Sequence, residues 1–499
     1  MTPDPDRLRR RARTLLRDAR AGDPAAAARL ATVARGTPRL ADALHVIARE
    51  AGHESWPKLL AEAEIAALDR AGRIARLDRA LHHGQHWMTA RLLAEDPTLA
   101  AADLGLRAAL LDAEGVHATL AADPRAAVRA LRGRRPILHL AFSQEVRRRP
   151  EKAADAIRVA EALVAAGADV NDGFPPEPGS DHRLSALYGA AGHTRHLPLA
   201  RWLLERGASP DDNESLYHAV EDPDPAILRL LLAHGVRTEG TNALARALDF
   251  DRLEPVRLLL AHGADPNERV ADHPSGEAVP MVPALHQAAR RGRRGAFADA
   301  ILAHGGRPDT AWNGHRPYGL ARIYGNRSFA EALAAAGHAH ALSPLEAALA
   351  ACADGSPPPG RPLAALEPSA EARRLLCRLA AAPGRLGHMQ ALVTAGADPD
   401  AADEMALTPL HAAGWRGDAV AVEWLLGLGP DLTHRNAFGG DAMSTVIHGA
   451  EFAPREEGAD HIACVRLLRA ADAPLSATAT SGDEEMAAFL TAEGAGPAP

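Results

Sequence analysis

Apolar residues along the chain fall in short runs at helical spacing, and the runs come in pairs. Residues 407–436, LTPLHAAGWRGDAVAVEWLLGLGPDLTHRN, carry the clearest pair. Thr408-Pro409 predicts a helix start: the threonine hydroxyl accepts from free backbone N–H groups, and proline sits where no N–H is needed. Leu410, Ala412 and Ala413 give that helix a small apolar face. Gly417 is expected to end it in the left-handed conformation. A second helix carries Val420, Val422, Leu425 and Leu426, and stops at Gly429. Alone, a helix pair of about thirty residues leaves one apolar side in water, so it must stack on copies of itself.

The copies are present. The terminal glycine recurs as Gly167, Gly207, Gly235, Gly263, Gly305, Gly337 and Gly396, with spacings of 40, 28, 28, 42, 32 and 59, then 33 to Gly429. First-helix segments recur as ILHLA (137–141), ALYGAA (186–191), SLYHAV (215–220), VPALHQAA (282–289) and SPLEAALAA (343–351). A period near 33 carrying TPLHAA and LL..GAD resembles the ankyrin repeat, most closely at 407–436 and by recurrence over about 77–475. The resemblance implies an all-α ankyrin-type solenoid: stacked helix-turn-helix repeats, about eleven units, with short hairpin or loop fingers.

Spacing and composition divide the chain further. Residues 1–75 read as an N-terminal helical cap region. IAREAGHESWPKL resembles a segment that often precedes bacterial arrays, with a turn at Gly52 and Ser55 as an N-cap. The repeat array is expected over 76–340, continuing over 341–475 after a unit with a degraded second helix and the Pro-rich GSPPPGRPL (355–363). Residues 476–499 read as a capping helix and tail. Longer spacings mark insertions at 143–155, 172–183 and 268–281.

Hydrophobic content is 47% but aromatic content only 4%, which suits thin helical layers packed through Ala and Leu. Net charge is −8, against a general nucleic-acid binder. Cys352, Cys377 and Cys464 lie too far apart for a disulfide framework or zinc spacing, which fits a reducing compartment. No apolar run approaches a membrane span, and the N-terminus lacks an apolar signal core. Lysine occurs only at Lys58 and Lys152, a codon bias pointing to a GC-rich, bacterial genome. A cytoplasmic monomer is expected, with no cofactor and neither nucleic acid nor membrane as partner.

Chemistry-bearing motifs are sparse. GxSxG, GxxxxGK[ST] and a strand-to-helix GxGxxG are absent. Among 24 histidines, His139, His286 and His411 occupy the TPLH site, whose imidazole the resemblance ties to loop backbone. His234, His262 and His304 precede terminal glycines, near helix C-termini that favour positive charge. His82, His83 and His86 are the metal candidates, without HExxH spacing or an adjacent glutamate base. The basic run RLRRRARTLLR (7–17) is expected to be a solvated helix face, able to meet a phosphate or acidic partner.

The resemblance also supplies a partner-binding row, the two residues after the first helix's alanines, which face the concave side of an ankyrin array. Here these include His193, then Glu221 and Asp222, then Asp249 and Phe250. Arg290 and Arg291 follow, then Tyr324, then Trp415 and Arg416, and last Phe452. The row reads acidic in the middle, basic beside that, and aromatic toward the C-terminus. Trp202 and Trp424 are expected in inter-repeat core. The expected function is a scaffold holding a protein or peptide on its concave face and fingers, without enzymatic activity. The alternative is an enzyme or metal-dependent protein with a pocket in the concave groove.

Overall fold

The computed structural model describes residues 4–34, 38, 40–269, 282–359, 362–453, 457–476, 479, 481 and 483–492. The insertion expected at 268–281 therefore lies almost wholly outside the described residues, as do residues 360–361 of the Pro-rich stretch. Terminal glycines set the rhythm of what remains. Gly167, Gly207, Gly235, Gly263, Gly305, Gly337, Gly396 and Gly429 all have φ between 73° and 103°, where a side chain is strained. Histidine reinforces this stop in three repeats. His234, His262 and His304 each place Nδ1 2.8–2.9 Å from the carbonyl oxygen four residues back, which ties the ring into the last turn of its own helix.

The chain forms two compact units. One holds residues 64–310 and 331–338. From Arg70 to Ala303 its described residues form seven helix pairs, beginning with Arg70–His83 and His86–Glu95 and ending with Ala284–Arg290 and Gly295–Ala303. First helices pack on first helices and second on second: Leu104–Ala109 meets Pro136–Ala141, and Leu253–Ala261 meets Gly295–Ala303. Buried Ala141, Ala190, Ala247 and Ala288 line the first helices, and leucines such as Leu163, Leu203, Leu231 and Leu259 fill the second layer. Each fully buried leucine contributes about 1.5–3 kcal/mol. The insertion near 172–183 makes a small finger, Gly173–Phe174 paired antiparallel with Leu184–Ser185.

The other unit holds residues 1–63, 311–330 and 339–499. Its N-terminal part is α1 (Pro5–Arg20), α2 (Pro24–Ala31), α3 (Leu40–Glu50) and the first half of α4 (Trp56–Ala67). These helices have their own core, including Ala12, Leu15, Leu30, Ile47, Trp56 and Leu59. Gly52 has φ 86° in the turn, and Ser55 accepts from Lys58 N–H at the start of α4. α3 also packs against the helix Glu484–Ala492, whose Met486 and Leu490 are buried. The two ends of the sequence thus meet within one unit.

Repeats in this unit run from Pro317–Ile323 through Pro344–Ala353 to Ala442–Phe452 and His461–Ala470. After Pro344–Ala353 the second helix shrinks to Pro362–Ala365, and the next pair is Ala370–Ala380 with Leu386–Thr394. Ser343 and Thr408 cap their helices reciprocally with the residues three positions on, Glu346 and His411.

The tightest joint lies between Pro409–Arg416 and Ala442–Phe452. A Cβ on Gly449 would stand 2.3 Å from the Trp415 carbonyl oxygen, and one on Gly414 2.6 Å from Val446. Alanine usually stabilises a helix relative to glycine by about 1 kcal/mol. At Gly449 the clash is with backbone and outweighs that gain. Gly449→Ala should lower stability by about 1–3 kcal/mol in urea denaturation, against a small rise if the joint were loose.

Candidate functional site

Polar and aromatic side chains at and beside the first helices meet from one repeat to the next. In the unit of residues 64–310 they form a continuous chain of contacts. His82 stacks on Phe142 with ring centroids 5.5 Å apart, and lies 4.6 Å from His193. Phe142 meets Tyr188, and Tyr188 meets His218 at 5.2 Å. His218 lies 3.2 Å from both Glu214 and Glu221. Arg246 then binds Glu221 at 2.7 Å while its guanidinium covers Tyr217 at 4.9 Å and Phe250 at 4.6 Å. Asp249 closes the series by accepting from Gln287 at 2.6 Å and pairing with Arg291 at 2.8 Å.

Several side chains of the row expected from the sequence are therefore engaged with one another. Glu221 and Asp222 also face Arg195, at 3.8 and 3.5 Å. The acidic and basic bands neutralise one another between repeats. Arg290 is half-buried, with Nη1 3.5 Å from Gln287 Oε1. Phe250 is 39% exposed although Arg246 covers one face. The sequence reading missed Tyr188, Tyr217, His218, Arg246 and Gln287. The signal was available for several of them: Tyr217, Arg246 and Gln287 precede Glu221, Phe250 and Arg291 by four positions, and residues at i and i+4 share a helix face.

His193 sits on a π-helical turn, Gly189–His193. Its Nε2 is 2.9 Å from the His82 carbonyl oxygen, and burial lowers its pKa. His82 Nδ1 accepts from Arg134 at 2.7 Å. Burial first, and then the Arg134 charge, push His82 down to about 3, so it is neutral at pH 7. The His82 Nδ1 lone pair a metal would need is spent on Arg134, and His193 donates its Nε2 N–H to backbone. His86 instead lies 3.6 Å from Glu145 and His83 edge-on to His82. Among the described residues no group of three or more His, Cys, Asp or Glu is arranged to hold a metal ion.

Behind this row lies a buried ionic knot. His139 places Nδ1 2.8 Å from Asp78 and Nε2 2.9 Å from the Leu131 carbonyl oxygen. Arg134 and Arg132 reach the same carboxylate at 2.8 and 3.3 Å. Burial opposes the Asp78 charge, but His139 and the two arginines outweigh it and hold the carboxyl well below the usual range.

The second unit differs. Tyr324 was expected on the accessible row, but it is buried and its hydroxyl donates to the buried Glu371. Arg416 was expected to be free. Its side chain is only 12% exposed and lies 3.9 Å from Asp418. His315 places Nδ1 2.9 Å from Glu346 and Nε2 2.7 Å from Ser369 Oγ. That order of hydroxyl, imidazole and carboxylate is the order of a nucleophile relay. Here Ser369 Oγ also accepts from Ala372 N–H as a helix cap, Glu346 serves a capping box, and His315 and Glu346 are buried. The trio ties repeats together. Burial likewise pushes the Cys352 thiol up to about 11, and those of Cys377 and Cys464 to about 12, so none is an activated nucleophile.

Trp415, His448 and Phe452 form an open aromatic strip. Ring centroids are 5.4 Å apart from Trp415 to His448 and 4.5 Å from His448 to Phe452. Trp415 is half-buried and its carbonyl faces His461 Nε2 at 2.9 Å, which fixes its backbone. Phe452 is 59% exposed. At the fingers, buried Asn436 accepts from Phe438 and Gly440 N–H at 3.0 Å each and donates to Thr445, which holds the turn that projects Phe438. Phe438 is 77% exposed, and its neighbour Ala437 donates to the Met405 carbonyl of the preceding finger. Of the two tryptophans expected in core, Trp202 is buried and Trp424 half-buried.

Residues 187–270 match a family model described as ankyrin repeats, in three copies. That stretch carries ankyrin repeats. No curated protein matches it. An ankyrin repeat domain from Acinetobacter baumannii AYE, known from a crystal structure, is 23% identical and spans 39% of this chain and 98% of its own length, with a TM-score of 0.30. Ankyrin repeats are generally protein–protein interaction modules. Among the described residues no helix is long and apolar enough to cross a membrane.

The buried carboxylates set the acid behaviour. Burial works against the Glu346 charge, but His315 and Ser343 outweigh it and draw its pKa from 4.5 down to about 2. Its contribution to stability is complete above the unfolded value and drains away as pH falls from about 4.5 toward about 2. Glu346→Gln should be less stable than wild type at pH 7 and should lose less stability across that window. Thermal denaturation against pH reads both.

Proposed function

We propose that this chain is a binding scaffold for a protein or peptide partner, and that the partner contacts the aromatic strip and fingers of residues 405–452. One observation carries the reading. Among the described residues seven large apolar side chains are exposed, and five of them, Met405, Val420, Leu428, Phe438 and Phe452, fall in this stretch. Aromatic side chains dominate interface energetics because they bury much area at low entropic cost. Trp415, held by its backbone and half covered, is the natural anchor, with His448 and Phe452 extending it. The polar row of residues 193–291 contributes less, since its charges already satisfy one another; Phe250 is its most open member. A stiff stack of repeats presents such a surface with little ordering on binding.

Among the described residues no observation favours the enzymatic or metal-dependent alternative over this reading. A cytoplasmic, monomeric protein remains part of the proposal.

Phe438→Ala/Phe452→Ala tests it, because neither side chain supports the core. The double variant should keep the wild-type thermal midpoint within about 1 °C, as surface changes of this kind usually stay within ±0.5 kcal/mol. Used as bait in the native cell extract beside wild type, it should fail to recover the proteins that wild type recovers. Each anchor lost costs on the order of 2 kcal/mol, a roughly thirtyfold drop in affinity. Equal recovery by both baits contradicts the proposal.

A further inference from the structure

The helix α1 carries seven arginines in its sixteen residues, Arg7, Arg9, Arg10, Arg11, Arg13, Arg17 and Arg20, against two acids, Asp6 and Asp18. Their placement is costly. Arg7, Arg10, Arg11 and Thr14 share one face at helical spacing, so the arginines repel one another. Arg7 and Arg10 also lie near the helix N-terminus, where the helix dipole disfavours positive charge. Packing against the core does not explain them, because Arg7, Arg10 and Arg11 are all exposed.

They line a cleft of about 430 Å³ between α1, the start of α2 and α3. Arg29 stands on the opposite wall, and Leu15, Ala26 and Ile47 contribute apolar lining. The acids around the cleft are already occupied. Glu50 binds Arg29 through both oxygens, at 2.9 and 2.8 Å, and lies 3.6 Å from Arg11. Asp18 pairs with Arg17 at 3.0 Å, and Asp23 accepts from Ala25 and Ala26 N–H to cap α2. Among the described residues the side chains of Arg7 and Arg10 have no acidic partner. The cleft therefore offers two unneutralised guanidinium groups, a third shared one at Arg11, a hydroxyl donor at Thr14, and an apolar lining.

We propose that this cleft binds a soluble organic phosphate. Guanidinium groups match phosphate oxygens in paired hydrogen bonds, which suits Arg7, Arg10 and Arg11 to the phosphoryl end. Leu15, Ala26 and Ile47, nearly buried in the core of these helices, form the cleft floor on which the uncharged part of the ligand rests, and the volume lies within the range of small-molecule sites. Bound anion would remove the repulsion along α1, so ligand and N-terminal helices stabilise one another.

Calorimetric titration of the full chain tests this, with ATP, inorganic pyrophosphate and adenosine as separate probes and phosphatidic acid vesicles as a further arm. ATP should bind and raise the thermal midpoint, pyrophosphate should bind more weakly, and adenosine should give no heat. Arg7→Gln/Arg10→Gln should weaken ATP at least tenfold. Arg20→Gln, which removes one of the same charges at the far end of α1, should leave binding within twofold. The exposed substitutions relieve repulsion, so circular dichroism should show both variants folded. Absence of heat with ATP at millimolar concentration overturns the proposal. So does equal weakening by Arg20→Gln, which would mean a diffuse charge effect, and so does binding to the vesicles alone.

Discussion

Each helix pair carries leucine and alanine on the sides that face its neighbours, and only the neighbours can take those side chains out of water. Every other feature depends on this stacking. It requires small residues where first helices approach, as the Trp415 carbonyl against Gly449 shows most sharply. It requires a reliable stop to each second helix, supplied by positive-φ glycines and, in three repeats, by a histidine bonded back into its own helix. It also places the same position of successive repeats side by side, so whatever a repeat presents at its first helix is met by the next.

That last consequence shapes the surface proposed for binding. In residues 64–310 neighbouring positions carry opposite charge or complementary rings, and they have paired: Glu221 with Arg246, Asp249 with Arg291, Tyr188 with His218. Such pairing fixes the angle between repeats but leaves fewer groups for a partner. Between Pro409–Arg416 and Ala442–Phe452 the neighbours are aromatic on both sides, and rings of this kind can stack on one another and still expose area. The finger turn held by Asn436 adds Phe438 to the exposed set.

The repeat skeleton was legible because it rests on local rules. Thr408-Pro409, Gly417 and Gly429 mark helix ends through backbone geometry alone, and recurrence extends them along the chain. Ser55 at the start of α4 was legible for the same reason. The state of the concave row was less so, because it depends on pairs distant in sequence. Tyr324 is withdrawn by Glu371, forty-seven positions on, and nothing near Tyr324 announces that carboxylate. Arg416 is withdrawn as well, with its side chain only 12% exposed. The meeting of α3 with Glu484–Ala492 joins opposite ends of the sequence and leaves no local trace. The Arg-rich run was visible from the start, but that its acids are occupied elsewhere is a property of the folded helices only.

The central claim is that inter-repeat pairing engages most of the row in residues 193–324 and leaves the 405–452 surface open. Hydroxyl-radical footprinting of the native protein, read residue by residue by mass spectrometry, measures this directly. Met405, Phe438 and Phe452 should be modified fastest, Trp415 at an intermediate rate, and Tyr324 only after denaturation. Rapid modification of Tyr324 together with protection of Phe438 and Phe452 would contradict the account.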